Sequence, residues 1–594
     1  MASSRILMCV LFVLGLSVLP AVAQPADDSS RVAWLELTGT LREGPVPFAW
    51  VTEAEAGPSL SGVVEALDDV AASEKHLGVV LYLNAPRLGL SQIEVLGQAI
   101  DRVKAAGKRV IAFSESYETG TYLLAGYADT VVLQRNGMFM LRGLLVEEMY
   151  LAGLMEKLGL EADFMQVGRF KGADEALTRE HPTPFWDENI GALLDDLYAQ
   201  IVGRIGEHRE MSVEQVEAVM RDSWLLSDEQ LLRRGVVDAV TDRGMTALFE
   251  EAFGGDFVWE DLADRGRMQT PNNPFALFQM LFRPPAPRAD GPSIAVIHAR
   301  GPIYMGESTV GDGAFTDDSI GHRTMIDALR DSASDEDIKG VVVRIDSPGG
   351  SALASEVIWQ AVRETAETKP VYMSVGRMAA SGGYYIACAG DEIFVEGPSV
   401  VGSIGVVSGK IHLEGLYEKL DLGVTVRTRG PMSDMFASDR PFTPAQRHTM
   451  LAFMERIYDQ FVDRIREGRG DRLPRVDEVA EGRLFTGRQA VANGMADEIG
   501  GLEEAVASLA EALDLEEGAY EVIDLPEPMS FQDFMQDAFG VRSAGMGVSL
   551  GMIAKPVLGD RWEVLRPVVE GALQLRREPA LVLMPVVLDI RVSP

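Results

Sequence analysis

Two apolar runs that break into glycine turns carry the residues best suited to chemistry. One ends in Ile345-Asp346-Ser347-Pro348-Gly349-Gly350; the other runs from Val371 to Val375 and on into Ala379-Ala380-Ser381-Gly382-Gly383. Each reads as a buried strand that turns at glycine. Tyr384 to Cys388 continues with helical spacing, so Ser381 sits where a strand becomes a helix. A serine there is poised for nucleophilic attack, because first-turn N–H groups and the helix dipole favour an alkoxide or a developing oxyanion. Glycine lets the backbone come close to a substrate carbonyl, so the N–H groups of Gly350 and Gly382, with Gly349 beside them, are candidates for an oxyanion hole. Taken alone, Ser381 reads more simply as the N-cap of an ordinary α/β turn.

What overturns that simpler reading is a duplication. Val32-Ala33-Trp34-Leu35-Glu36-Leu37-Thr38-Gly39 aligns with Ile294-Ala295-Val296-Ile297-His298-Ala299-Arg300-Gly301, an offset of 262. The same offset carries Gly78 to Leu83 onto Gly340 to Ile345, Gly120 and Tyr122 onto Gly382 and Tyr384, and Glu156-Lys157-Leu158 onto Glu418-Lys419-Leu420. Later it becomes 259, with Gly235-Val236-Val237-Asp238 facing Gly494-Met495-Ala496-Asp497. Short apolar strands alternate with helical stretches in each copy, such as Leu60 to Ala72 and Leu353 to Ala366, which predicts a layered α/β unit. Long helical stretches around Ile190 to Ile205 and Met450 to Ile465 are expected to form outer arms.

The copies differ where chemistry belongs. Copy one has Thr119 opposite Ser381, Arg87-Leu88 opposite Gly349-Gly350 and Leu141 opposite Ser403. In the other direction, Lys171 of Gln166-Val167-Gly168-Arg169-Phe170-Lys171-Gly172 maps onto Ser433. One copy thus holds only the serine and the other only the lysine, which points to a single composite site. A hydroxyl needs a base, no histidine occurs in these motifs, and a lysine takes the role when burial lowers its pKa.

These motifs, Asp346 to Gly350, Ala379 to Tyr385, Gly402-Ser403-Ile404-Gly405-Val406 and Gly168 to Lys171, resemble those of the long, tandem-repeat form of bacterial signal peptide peptidase A, or protease IV. The resemblance covers roughly residues 30 to 520. It implies a ClpP/crotonase-like fold (a β-β-α superhelix) in each half, and a Ser/Lys dyad with Ser381 as nucleophile and Lys171 as general base. Ser403 matches the serine that hydrogen-bonds and orients that lysine. The resemblance also implies a homo-oligomer, a tetrameric bowl at the periplasmic face of the inner membrane, which degrades signal peptides after their release. No cofactor and no metal are expected.

The rest of the chain bounds this reading. The net charge of −36 over 594 residues argues against nucleic acid or an anionic membrane surface as a partner. Arg5 precedes an apolar run from Ile6 to Leu19, followed by Ala21-Val22-Ala23. Residues 1–23 therefore read as a secretory signal cleaved after Ala23 or as a retained anchor. The only cysteines are Cys9, inside that run, and Cys388, which reads as a buried small hydrophobe. The seven scattered histidines lack metal-site spacing. The expected layout is a first repeat over 30–262, a Pro-rich linker over 263–292 containing the apolar Phe275 to Phe282, a second repeat over 293–520 and a tail over 521–594. That tail has an amphipathic stretch near Val564 to Leu575 and an apolar one from Ala580 to Leu588; subunit contact is the plainer expectation for it and membrane contact the sharper.

The expected function is an exported serine endopeptidase acting on short, hydrophobic, extended peptides. Two rivals use the same residues: a crotonase-type acyl-CoA enzyme with the same glycine-turn oxyanion hole, and an inactive peptide-binding scaffold. Export of the chain argues against the first, and the retained Ser381, Ser403 and Lys171 against the second.

Overall fold

Parallel strands of the second half present alternate residues to opposite faces, and both faces are covered. In the computed structural model, which describes residues 29–44, 59–241, 246–262, 291–309, 318–526 and 581–583, Ala295, Ile297, Val341, Val343, Val371 and Met373 face the main core. Ile294, Val296, Val342, Tyr372 and Phe394 face the opposite way, toward Val506 and Leu509 of the helix Leu502–Ala512. The strands pair in the order Leu484–Thr486, Val400–Gly402, Val371–Ala380, Ile338–Ser347, Ser293–Arg300, Glu521–Leu525. All neighbours in this order are parallel except the first pair.

The first half repeats the plan. Its strands run Ala239–Thr241, Thr130–Met140, Arg109–Glu118, His76–Arg87, Arg31–Thr40, Val258–Asp261, all parallel. The tandem α/β repeat expected from the sequence is thus present. The correspondence also reaches past residue 520: Glu521–Leu525 pairs with Ser293–Arg300 as Val258–Asp261 pairs with Arg31–Thr40. The signal run, nearly all of the linker and the stretch at 564–575 lie outside the described residues.

A third sheet joins the halves. Its order is Ile320–Gly321, Ile303–Tyr304, Gly349–Ser351, Leu581–Leu583, Val406–His412, Glu161–Val167. The last two strands come from different copies and pair antiparallel from Val406 opposite Val167 to His412 opposite Glu161. Asp163, in the middle of that seam, is buried; it accepts from the Phe442 N–H at 2.6 Å and pairs with Arg447 of the helix Pro444–Arg469.

The two long arms are helices of 26 residues each, Pro184–Arg209 and Pro444–Arg469, both with threonine N-caps and proline at the first turn. They are not outer arms. Trp186, Ile190, Leu193 and Leu197 of the first pack against Ala380, Val400 and Leu484 of the second half, and Met450, Met454, Phe461 and Ile465 of the second lie in the main core. The apolar stripe that marked each helix in the sequence is buried because each crosses a sheet rather than projecting from it.

Asp163→Ala leaves the buried Phe442 N–H without its acceptor, and should lower the unfolding free energy by about 1–3 kcal/mol. Denaturant titration of the variant against wild type measures this; a loss under about 0.5 kcal/mol would mean that the seam does not depend on this carboxylate.

Candidate active site

The site lies at the carboxyl ends of three adjacent parallel strands, where ligands gather in open α/β sheets. Ser347 is level with Ala379, and Ala380 with Gly402. The residues just past those ends, Gly349-Gly350, Ser381 and Ser403, are therefore brought together. Ser381 has φ 53° and ψ −112°, and Ser403 has φ 54°, both on the positive side that costs a non-glycine residue about 1–3 kcal/mol. Backbone bonds hold both in place: Ser381 N–H donates to the Gly402 carbonyl at 2.6 Å, and Ser403 N–H to the Arg483 carbonyl at 2.6 Å.

Lys171 arrives from the first half, four residues beyond the seam strand Glu161–Val167. Its Nζ lies within hydrogen-bond distance of Ser381 Oγ at 2.7 Å, of the Ser403 carbonyl at 2.7 Å and of Ser403 Oγ at 3.0 Å. All three groups are buried at 0 % exposure. The amine has only uncharged partners, and burial holds its pKa well below the ordinary 10.5. The serine and the lysine of this pair belong to one chain.

Neighbouring segments fix the lysine. Phe170 N–H donates to the Glu481 carbonyl at 2.8 Å, and Gly482 N–H to the Ile404 carbonyl at 2.7 Å. Gly482, at φ 87°, lies so close that a Cβ there would stand 2.4 Å from the Lys171 nitrogen. Asn189 bridges the same segments: its Nδ2 donates to the carbonyls of Phe170 and Gly482, and its Oδ1 accepts from Leu484 N–H at 2.9 Å. Sequence reasoning passed over Asn189, Gly482 and Arg483. The one available signal was a polar Asn189 on the buried stripe of Trp186, Ile190, Leu193 and Leu197.

On the other side of Ser381, a Cβ on Gly382 would lie 3.1 Å from both Gly349 Cα and Gly350 N, so only glycine lets the two turns meet here. Gly349 donates its N–H to Ser347 Oγ at 3.2 Å, whereas the Gly350 nitrogen lies close to Gly382. The helix that follows Ser381 is short, Gly382–Ala387. Cys388 is fully buried, and burial pushes its thiol up to about 12. Lys410 and Lys419 are engaged elsewhere, donating to the carbonyls of Met435 and Ala437 and of Glu156 and Lys157. Ser433, the counterpart of Lys171, is exposed in a turn. In copy one, Thr119 Oγ1 accepts from Arg142 N–H at 3.0 Å and Gly143 N–H at 3.2 Å, a scaffolding role.

Fold and site together define a serine-type hydrolase assembled from two copies of one α/β unit. Comparison with known proteins supplies the rest. The model of peptidase family S49 matches residues 102–248 and 363–516, one segment in each half, and the chain belongs to that family. It is 30 % identical over 469 residues to protease 4 of Haemophilus influenzae, covering 75 % of this chain and 71 % of that one. Similarity to the chloroplastic serine protease SPPA of Arabidopsis thaliana is 28 % over 477 residues, covering 79 % and 68 %. A putative signal peptide peptidase SppA of Enterococcus faecium is 34 % identical over 199 residues, covering 33 % of this chain and 57 % of that protein. The chain is a serine-type peptidase built as a tandem α/β repeat, and the acyl-CoA and inactive-scaffold readings fall away.

Two outcomes follow from the packing around Lys171. Gly482→Ala pushes a methyl into the lysine's backbone and should lower kcat about 10- to 100-fold with the fold retained by circular dichroism; unchanged kcat would show that this contact does not position the amine. The second concerns pH. Below 10.5 the unfolded chain takes up a proton at Lys171 that the folded chain refuses until the much lower folded pKa, so this residue destabilises the fold increasingly as the pH falls through that window. Lys171→Met should therefore raise the melting temperature over wild type, with a gap that widens from pH 10.5 toward neutrality. A gap independent of pH would mean that the amine is charged in the folded protein.

Proposed function

We propose that the chain hydrolyses peptide bonds with a Ser/Lys dyad and acts on short, extended, apolar peptides, released signal peptides among them. The observation that carries this reading is the 2.7 Å contact between the buried Lys171 Nζ and Ser381 Oγ, with no charged group bonded to either among the described residues. The neutral amine accepts the serine proton as Oγ attacks the carbonyl, and the ammonium so formed returns a proton to the leaving amine. The N–H groups of Gly350 and Gly382 hold the oxyanion. Ser403 bonds the same Nζ and keeps it aimed at Oγ. The ammonium formed during the reaction keeps the Ser403 carbonyl, already 2.7 Å away, as an acceptor, which stabilises it without a counter-ion.

The signal-peptide substrate is supported by the name of the Enterococcus relative, a putative signal peptide peptidase. Action in the bacterial envelope, at the periplasmic face of the inner membrane and as a homo-oligomer, is part of the same proposal and is supported by the apolar Ile6 to Leu19 run. Among the described residues no helix is long and apolar enough to cross a membrane. Among the same residues no cluster of metal-ligating side chains occurs.

Ser381→Ala and Lys171→Ala should each lower kcat/KM on an apolar fluorogenic peptide about 10³-fold or more, because the pair acts as a unit. Ser403→Ala should cost roughly 10- to 100-fold, as groups that orient a reacting residue do. Wild-type kcat/KM should rise with pH until Lys171 is deprotonated and then level off, and neither EDTA nor a thiol alkylator should inhibit. Appreciable turnover by Ser381→Ala or Lys171→Ala, or a rate that falls as the pH rises, would sink the mechanism.

A further inference from the structure

The two copies also differ in the segment that closes over the lysine. The offset of 259 sets Asp222-Ser223-Trp224-Leu225 against Glu481-Gly482-Arg483-Leu484, and Gln230 against Gln489. In the second half this segment packs on Lys171, with Gly482 against its backbone nitrogen. In the first half Trp224 is 63 % exposed and Leu225 is exposed beside it. The offset of 262 sets Phe170, which is 4 % exposed, against the exposed Met432. Phe170 and Arg483 therefore stand at the junction that receives the lysine, and neither has a like residue at the matching place in the other copy.

Arg483 acts in two directions. Its carbonyl accepts from Ser403 N–H at 2.6 Å, which helps hold the orienting serine at φ 54°. Its guanidinium lies 3.6 Å over the ring of Phe170, the residue directly before the base, and its Nη2 donates to Glu188 at 3.2 Å, directly before Asn189. A guanidinium stacks flat on an aromatic ring and sheds water more readily than an ammonium, so this contact is selective for arginine. The same ring is met edge-on by Phe185, centroids 5.5 Å apart, and by Arg169 at 5.6 Å. Such fixing is needed because the strand ladder ends at Val167 and Gly168 turns the chain at φ 105°. The amine is carried four residues beyond the last ladder pair.

We propose that Arg483 is a positioning residue for the reaction, holding Lys171 through Phe170 and Ser403 through its own carbonyl, so that base and orienting serine are set against each other across the junction of the halves. This rests on the Ser/Lys reading and deepens it. The contact serves the base rather than the oxyanion turn, so its loss falls on kcat and not on KM. Misplacing a reacting group by about 1 Å costs on the order of 10²-fold in rate. Loosening the segment also admits water to the amine, which moves its pKa back toward the ordinary 10.5.

Arg483→Ala keeps the backbone carbonyl and removes only the stacking arm. In the full chain it should lower kcat on an apolar fluorogenic peptide about 10- to 100-fold at unchanged KM, and move the rise of kcat/KM to higher pH. Arg483→Lys keeps a charge facing Glu188 but not the planar stack, and should lose nearly as much; it carries the test should Arg483→Ala fail to fold. In a cycle with Phe170→Ala the second substitution should add little to the first, since both remove one contact. Lys171 is read apart from catalysis in the Ser381→Ala background. There the melting-temperature gap between Lys171→Met and its Lys171 parent, taken near neutral pH, should be smaller with alanine at 483 than with arginine, because a less depressed amine costs the fold less. This gap does not depend on Lys171 being the base, so a wrong dyad and a wrong positioning role fail in different measurements. A kcat within about 3-fold of wild type, losses that multiply in the cycle, or equal gaps in the two backgrounds would each overturn the proposal.

Discussion

A primary amine accepts a proton near neutral pH only if it is denied both water and a counter-ion. Every part of the site serves that condition. Lys171 Nζ touches two hydroxyls and one carbonyl and nothing charged, although the chain carries 90 acidic residues. Three carboxylates close along the chain or across the packing are engaged with other groups. Glu175 accepts from the N–H and hydroxyl of Thr183. Glu481 pairs with Arg169 at 2.9 Å and Glu188 with Arg483 at 3.2 Å. A carboxylate placed on the lysine instead would raise its pKa and leave Ser381 without a base.

That condition explains why the seam between the halves is a strand pair rather than a loop contact. A side chain at the end of a flexible segment would let water reach its amine. Here the segment before Lys171 is locked by a ladder of seven residue pairs to Val406–His412, and the segment after it is covered by the 481–484 stretch and Asn189. The ladder places Ser403 and Lys171 at neighbouring ends of paired strands, so one set of backbone hydrogen bonds aligns the base with the residue that orients it.

Duplication freed the two copies to divide this work. On the proposed dyad, the unit that supplies the base has no need of a nucleophile, and Thr119 and Leu141 are absorbed into the scaffold and core of the first half. The second half, relieved of the base, leaves Ser433 in an exposed turn. The same composite sheet that delivers the lysine also contains Gly349–Ser351, so the base and the glycine strand share one framework of hydrogen bonds.

The sequence by itself determined the duplicated α/β plan and singled out Ser381, Lys171 and Ser403 and the glycine turns around them as candidates, because offset, residue type and apolar period are properties of the linear chain. It also marked the stripes of both long helices, but not what those stripes cover. Only the tertiary structure decided that Gly349 spends its N–H on Ser347, that Asn189 and Gly482 fix the lysine, that the first long helix packs against the second half, and that residues 581–583 lie beside Gly349–Ser351. Each of these depends on which strand edges meet and in what register. That choice is made by hydrogen bonds and packing between segments tens to hundreds of residues apart, and no local period records it.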